Sequence, residues 1–322
     1  MRIGIVGAGA WGTTMAIHVA RNGHEVVLWT RDPARAARMQ EVRENEKYLP
    51  SIRFPDHLEV TAGGVGGCEI LAGAVPTQHM REVFARIREQ LPLAPFLSLA
   101  KGIEIESGAL PTQIYRQEVG DDRPTAVLTG PCIGHEVASG LPTAVVIAGD
   151  EAHMLQEAFR SDRFRVYTST DRVGAELSAA LKNVLAIAAG IVDGMQLGDN
   201  IKAALLTRGI VELTRLGVAL GADAATFTGL AGFGDLFTTC VSPHSRNRSV
   251  GERIGRGEKL DAILASMDSE VEGVPTTRAV LTLAGAMGVE MPITAALADI
   301  LFRDIAVEEA LGSLMRRDVR SE

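Results

Sequence analysis

"IGIVGAGAWGTTMA", residues 3–16, sets an apolar run directly against three glycines and then a stretch of helical composition. "RIGIV" (2–6) reads as a strand, the helix that follows runs to about Asn22, and "EVVLW" (25–29) reads as a second strand. Glycines at this spacing also serve plain turns, and it is the strand before them and the helix after them that give the pattern its meaning. In that setting Gly7 makes the tight turn, Gly9 lets a pyrophosphate reach the backbone, and Gly12 lets the helix pack closely on the sheet. The free N–H groups and dipole of the helix start favour an anion. The expected ligand is a dinucleotide.

Working outward, further strands are expected at "EILAGAV" (69–75), "FLSLA" (96–100), "TAVLTG" (125–130) and "TAVVIAG" (143–149), with amphipathic segments such as 78–90 and 108–119 between several of them. Strands alternating with helices imply a mostly parallel sheet covered on both faces. From about Asp171 the texture changes: 173–192, 201–221, 249–266, 273–287 and 292–312 all read as helices. The expected fold is α/β, a Rossmann-type doubly wound domain over residues 1–170, followed by an all-α domain over residues 171–322. Outside these, only a slightly polar end, "RRDVRSE" (316–322), stands apart.

At 322 residues two domains are the prior expectation. Aromatic residues at 4% and a net charge of −8 argue against a base-stacking platform and against nucleic acid as the main partner. No run is expected to approach the ~18 apolar residues of a membrane span, and no charged leader with a cleavage site precedes the glycine-rich start, so a cytoplasmic protein is expected. Cys68, Cys132 and Cys240 form no CxxC pair, which fits a reducing compartment and suggests no structural metal.

Several residues are candidates for chemistry. Past the second strand, "WTRDP" offers Arg31, suited to a ribose 2′-phosphate, and Asp32, suited to a 2′-hydroxyl. Arg31 leans the expectation toward NADPH over NADH; the alternative is a solvated Arg31 and an Asp32 that caps the next helix ahead of Pro33. In "SLAKGIE" (98–104), Lys101 stands just past a strand, where ligands of open α/β sheets bind, or else is simply solvated. Backbone N–H groups at 130–134 could hold a substrate oxygen, and His135 reads as a surface or helix-start residue.

The helix 173–192, "VGAELSAALKNVLAIAAGIV", is apolar nearly all round and should be buried, which leaves Lys182 without an obvious route to water. A buried lysine is costly unless a partner or ligand sits beside it, and burial would bring it toward acid–base use near neutrality. The competing reading is an ion pair with Glu176 or Asp193 on the same helix. Asp235, at the end of a glycine-dense turn, could orient or balance Lys182. Ser245, Arg246 and Asn247 at the next helix start could seat a phosphate, or could form a plain polar cap.

Together these stretches are more specific than any one. "GAGAWGTTMA", "NEKYLP", "AVPTQ", "SLAKGIE", "TGPCIGHEVASGLPTA", "ALKNVLAIAAGIVDGMQLGDNIKAALLTRG", "GLAGFGDLFTTC", "SRNR" and "VEGVPTT" occur in order, and the chain resembles the prokaryotic-type NAD(P)-dependent glycerol-3-phosphate dehydrogenases over nearly its whole length. The resemblance implies reversible hydride transfer between a nicotinamide and C2 of dihydroxyacetone phosphate, giving sn-glycerol 3-phosphate for phospholipid synthesis. It implies that Lys182 is the proton donor and acceptor and that Lys101 touches cofactor and substrate. It places Gly130, Cys132, Asp235, Ser245, Arg246 and Asn247 around the substrate. Gly7, Gly9, Ala10, Trp11, Gly12, Arg31, Tyr48, Lys101, Gly134, Arg246, Glu270 and Glu272 fall on cofactor positions. The chain departs from the family pattern at Ala10, where Ser is frequent, at Cys132 for Ser, at Gly134 for Ala and at Glu270 for Val. A thiol donates a weaker hydrogen bond than a hydroxyl, so Cys132 bears on substrate affinity more than on reaction type.

Two other readings remain open from sequence: a 3-hydroxy-acid or ketopantoate-type reductase built on the same plan, and a dinucleotide-binding protein without catalysis. A homodimer is the expected assembly.

Overall fold

Strand β1 (Arg2–Val6) is buried from its second residue on, because neighbours and helices cover it on every side. It pairs in parallel with β2 (Glu25–Trp29) on one flank and β6 (Ile70–Gly73) on the other. These belong to an eight-stranded sheet of order β10-β9-β8-β7-β6-β1-β2-β5, completed by β5 (Leu58–Thr61), β7 (Phe96–Ser98), β8 (Thr125–Thr129), β9 (Thr143–Gly149) and β10 (Phe164–Ser169). All pairings are parallel except β8 with β9, so the last two strands run against the rest. A separate short pair, β3 (Glu44–Asn45) and β4 (Leu49–Arg53), is antiparallel. Strand order reverses between β1 and β6, which is where an open α/β sheet presents a crevice beyond its strand ends.

The structure is a computed structural model and describes residues 1–120, 122–267 and 270–317. The chain divides into a unit of Met1–Lys101 with Ala109–Glu176 and a unit of Gly102–Gly108 with Leu177–Glu322. In the first unit, Ile3 and Ile5 of β1 face one buried cluster while Val6 belongs to the opposite one, as the two-residue period of a doubly covered strand requires. Helices α1 (Ala10–Arg21), α2 (Pro33–Val42), α3 (Thr77–Ile87), α4 (Pro111–Val119), α5 (Gly134–Ala138) and α6 (Ala152–Phe159) supply the cover. On one face Phe96 stacks on Tyr115 at 3.8 Å and Phe84 meets both rings edge-on.

In the second unit, helices α8 (Asp199–Ala219), α9 (Ala224–Thr228), α10 (Asp235–Val241), α11 (Arg246–Gly255), α12 (Leu260–Ala265), α13 (Gly273–Met287), α14 (Pro292–Arg303) and α15 (Val307–Met315) follow α7 (Arg172–Gly194), whose first turn is grouped with the first unit. Although Glu176 and Lys182 interrupt its apolar run, α7 is long and apolar enough by composition to cross a membrane, with mean hydropathy 1.5. Its most apolar window is 94% buried within the fold, which makes it a core helix. Helix α11 packs on α7 at backbone distance: a Cβ on Gly190 would stand 2.0 Å from the Arg248 carbonyl oxygen, and one on Gly251 would stand 1.9 Å from that of Ile187.

Two expected helices divide. The stretch 249–266 breaks after α11 at Gly257, whose φ of +91 leaves the helical region, and resumes as α12. The stretch 292–312 breaks at Asp304, a left-handed C-cap, giving α14 and α15. Strands β3, β4, β5 and β10 were not expected; all are short or edge elements, β3 and β4 without a clean period and β5 and β10 with a buried–exposed alternation too brief to stand out. Of the polar end at 316–322, residues 318–322 lie outside the described residues.

Candidate active site

In the first unit the glycine loop joins β1 to α1. Gly7 has φ +112, and a Cβ there would stand 2.7 Å from the Ala74 carbonyl oxygen. Gly12 is held against the loop itself, since its Cβ would stand 1.9 Å from the Gly7 oxygen. Gly9, the N-cap of α1, has nothing within 4 Å of its Cβ position, and no side chain caps the helix. The N–H groups of the first turn therefore look for an outside acceptor. Ala10 is exposed beside them, and the buried Trp11 Nε1 has no hydrogen-bond partner among the described residues. These features fit a dinucleotide pyrophosphate and adjoining groups.

Around this loop, Arg31 is exposed just past β2, and Asp32 caps α2, its Oδ1 accepting from the N–H groups of Ala34 at 3.0 Å and Arg35 at 3.2 Å. The capping role that sequence left open for Asp32 is thus observed. Gly134 begins α5 beside α1: its carbonyl accepts from Thr14 Oγ1 at 3.2 Å, and a Cβ on it would lie 3.2 Å from that same oxygen. His135 is exposed in the first turn of α5. Past β7, Lys101 Nζ donates to the Gly130 carbonyl at 3.3 Å and meets Cys132 Sγ at 3.1 Å, while the thiol also donates to that carbonyl at 2.9 Å. Lys101, Gly130 and Cys132 are therefore one cluster.

In the second unit, Lys182 lies in the middle of α7 and is 6% exposed. Its Nζ donates to Asp235 Oδ1 at 2.5 Å and to Thr239 Oγ1 at 2.7 Å. Thr239 in turn donates to the Asp235 carbonyl at 2.7 Å, so its hydroxyl meets the ammonium as an acceptor. A π-helical turn, Leu230–Gly234, delivers Asp235 to α10, and Ser178 Oγ on α7 donates to the Ala231 carbonyl of that turn at 2.9 Å. The alternative partners for Lys182 are engaged elsewhere. Glu176 accepts from Thr112 N at 2.9 Å and pairs with Arg172, and Asp193 pairs with Lys202 and Arg248. A carboxylate at contact distance offsets the cost of burying the ammonium.

Beside this pair, the glycine-mediated approach of α11 to α7 brings Asn247 Nδ2 within 2.9 Å of Asn183 Oδ1, and Asn247 Oδ1 accepts from Gly273 N at 3.0 Å. Ser245 is the N-cap of α11 and accepts from Arg248 N at 3.3 Å. Arg246 is exposed and donates to the Glu270 carbonyl at 2.8 Å; Glu272 is the N-cap residue of α13.

Sequence reading missed Thr239 and Asn183. Thr239 lies four residues after Asp235, one helical turn on, and Asn183 directly follows Lys182; the spacing could have flagged the first. It also missed Asn45 and Arg35. Asn45 Nδ2 donates to the Ala8 carbonyl at 3.0 Å and to Thr13 Oγ1 at 2.7 Å, bracing the glycine loop from the β3–β4 pair.

A parallel sheet with a glycine loop at its switch point, followed by a helical unit holding a buried lysine–carboxylate pair, is the construction of a two-unit NAD(P)-dependent dehydrogenase. Family models described as NAD-dependent glycerol-3-phosphate dehydrogenase N-terminus and C-terminus match residues 2–155 and 171–312. The chain belongs to the glycerol-3-phosphate dehydrogenase family. A glycerol-3-phosphate dehydrogenase of NAD(P)+ type from Chlorobium luteolum is 46% identical over 100% of this chain and 99% of its own length. One from Methylobacillus flagellatus is 44% identical over 100% of this chain and 99% of its own. The crystal structure of glycerol-3-phosphate dehydrogenase from Coxiella burnetii superposes with a TM-score of 0.93 at 36% identity, covering 98% of this chain and 99% of that one. A ketopantoate reductase from Ralstonia eutropha shares the fold, with a TM-score of 0.63 at 17% identity over 97% of this chain and 100% of its own.

Proposed function

We propose that this chain catalyses the reversible reduction of dihydroxyacetone phosphate to sn-glycerol 3-phosphate with NAD(P)H, and that Lys182 passes the proton. The observation that carries the chemistry is the buried ammonium of Lys182 held by Asp235 at 2.5 Å and Thr239 at 2.7 Å. Family membership supplies the substrate class.

Gly7, Gly9, Ala10, Trp11 and Gly12 would hold the dinucleotide, with Arg31, Tyr48, Lys101, Gly134, Arg246, Glu270 and Glu272 as further contacts. A bound nicotinamide would supply hydride-transfer chemistry at C2 of the substrate. As the carbonyl is reduced its oxygen gains negative charge, and the Lys182 ammonium donates a proton to it; in the oxidising direction the amine takes that proton back. Asp235 keeps the ammonium charged and aimed, and Thr239 fixes its orientation without competing as a donor. Lys101, seated on the Gly130 carbonyl beside Cys132, adds positive field at the substrate. Ser245, Arg246 and Asn247 at the start of α11 seat the phosphate, so that binding energy remote from C2 orients the reacting carbonyl.

The product would feed phospholipid head groups, in the cytoplasm, from a homodimer that light scattering would detect. The test is NADPH oxidation with dihydroxyacetone phosphate: Lys182→Ala should lose ~10²–10⁴-fold in kcat. Turnover near wild type in that variant removes Lys182 from the chemistry, and a preference for carboxylates over phosphates in a substrate panel refutes the substrate assignment.

A further inference from the structure

Arg35, in the first turn of α2, is held in place from several sides. Its guanidinium donates to the Ala8 carbonyl of the glycine loop and to Asn45 Oδ1 at 3.3 Å, and its carbon lies 4.6 Å from the centroid of the Tyr48 ring. Asn45, 1% exposed, is itself fixed by its bonds to Ala8 and Thr13. Every one of these partners is neutral. Burial pulls the Arg35 guanidinium below its ordinary range, with Tyr48 and Asp32 opposing that only in part.

The neighbouring acids are committed elsewhere. Asp32 uses Oδ1 to cap α2 and forms no ion pair with Arg35 among the described residues. Glu46 is taken by Arg38, at 3.2 and 3.3 Å. A second cation is close by: Lys47 Nζ lies 5.2 Å from the Tyr48 ring centroid. A guanidinium that stays charged, half-buried and pinned among neutral groups is a seat for an anion brought from outside.

We infer that Arg35 reads the 2′-phosphate of NADPH and sets the preference between the two dinucleotides, an inference that rests on the dinucleotide reading of the glycine loop. The pyrophosphate belongs to the open start of α1. The adenosine ribose is read at the end of β2 and the start of the next helix, which is where Arg35 stands. NADH carries no phosphate at that ribose. Arg31 is exposed, whereas Arg35 is pre-organised by Tyr48, Asn45 and the loop carbonyl, so less freedom is lost when it binds.

Equilibrium titrations on the full chain test this without turnover, using NADPH, NADH, adenosine 2′,5′-bisphosphate and adenosine 5′-monophosphate against wild type, Arg35→Ala, Arg35→Lys and Arg31→Ala. Arg35→Ala should weaken NADPH and the 2′,5′-bisphosphate by about tenfold or more, the range of a charge-assisted hydrogen bond, and leave NADH and the monophosphate within about threefold. Arg35→Lys, which keeps the charge and serves if the alanine variant does not fold, should fall between the two. Equal loss for phosphorylated and unphosphorylated ligands would reduce Arg35 to a prop of the loop and overturn the inference, as would unchanged NADPH binding. Wild type binding neither dinucleotide would instead overturn the reading of the glycine loop.

Discussion

The Nζ of Lys182 on α7 and Oδ1 of Asp235 on α10 are 2.5 Å apart, with side chains 7% and 2% exposed. Neither charge reaches bulk water, so each depends on the other. Asp235→Asn keeps the shape and removes the counter-charge. Breaking one side of a buried pair costs about 3–5 kcal/mol, and the ammonium loses its aim. We expect Asp235→Asn to lower the denaturation midpoint and to reduce kcat by ~10²-fold or more. Chemical denaturation and NADPH oxidation measured on the same preparation check both; an unchanged midpoint would mean the pair is not a structural unit.

Gly9 and Gly12 stand in one loop yet should respond differently to a methyl group. At Gly12 the added Cβ would lie 1.9 Å from the Gly7 oxygen, so Gly12→Ala must push α1 off the sheet and should cost about 1–3 kcal/mol or more. At Gly9 nothing of the chain is within 4 Å and φ is −74, which alanine adopts without strain. Gly9→Ala should keep stability within about 1 kcal/mol while raising the dinucleotide Kd about tenfold, or 1.4 kcal/mol. Melting curves paired with dinucleotide titration separate the two outcomes, and a Gly9→Ala protein that binds normally would take Gly9 out of the cradle.

The glycine loop was legible because its constraint is local: a turn at Gly7 and a close approach at Gly12 are written within six residues. The burial of Lys182 was legible too, since α7 is apolar on all sides. Its partner was less so. Helical spacing offers Glu176 and Asp193 as partners, and only the fold shows that Glu176 caps α4 through Thr112 while Asp193 serves Lys202 and Arg248. The contact of α11 with α7 at Gly190 and Gly251 escapes a pattern search, because small residues mark a close approach without naming what approaches. Arg35 and Asn45 were hidden for a similar reason: Arg35 meets the loop from the first turn of α2 and Asn45 from an irregular hairpin whose strands carry no period, and neither position names what it touches.

His18 gives a pH dependence of stability. It is 8% exposed, its Nε2 lies 2.6 Å from the Phe159 carbonyl, and burial, above all, holds its pKa below the ordinary 6.5, aided by Arg21 and His24 and opposed by the Phe159 bond. The unfolded chain therefore takes up the proton first as pH falls. The contribution of the neutral ring is complete above about 6.5 and declines from there toward the folded pKa. Glu176 and Glu212, both raised by burial, act in the opposite sense from the carboxylate range upward. Comparing melting of wild type and His18→Gln between about pH 5 and pH 8 isolates the histidine. The wild type should lose more stability on acidification than the variant; parallel curves would show that His18 titrates alike folded and unfolded.

The three free thiols should differ in reactivity, because their surroundings do. Cys240 is fully buried, and desolvation pushes its thiol up to about 12, well beyond reach of a reagent at pH near 8. Cys68 is 5% exposed and likewise raised by burial. Cys132 alone is partly exposed, and the Lys101 ammonium 3.1 Å from its sulfur draws an anionic disulfide reagent toward it. We expect the native protein to release one equivalent of chromophore with such a reagent and the denatured protein to release all three. Cys132→Ser should abolish the native reaction, and dihydroxyacetone phosphate should slow it in the wild type if Cys132 lies at the substrate. Because the serine hydroxyl donates a stronger bond than the thiol, the same variant should shift the substrate KM by a few-fold, roughly 1 kcal/mol, with little change in kcat. Native labelling of Cys68 or Cys240, or a kcat that collapses in Cys132→Ser, would contradict this account of the Lys101 cluster.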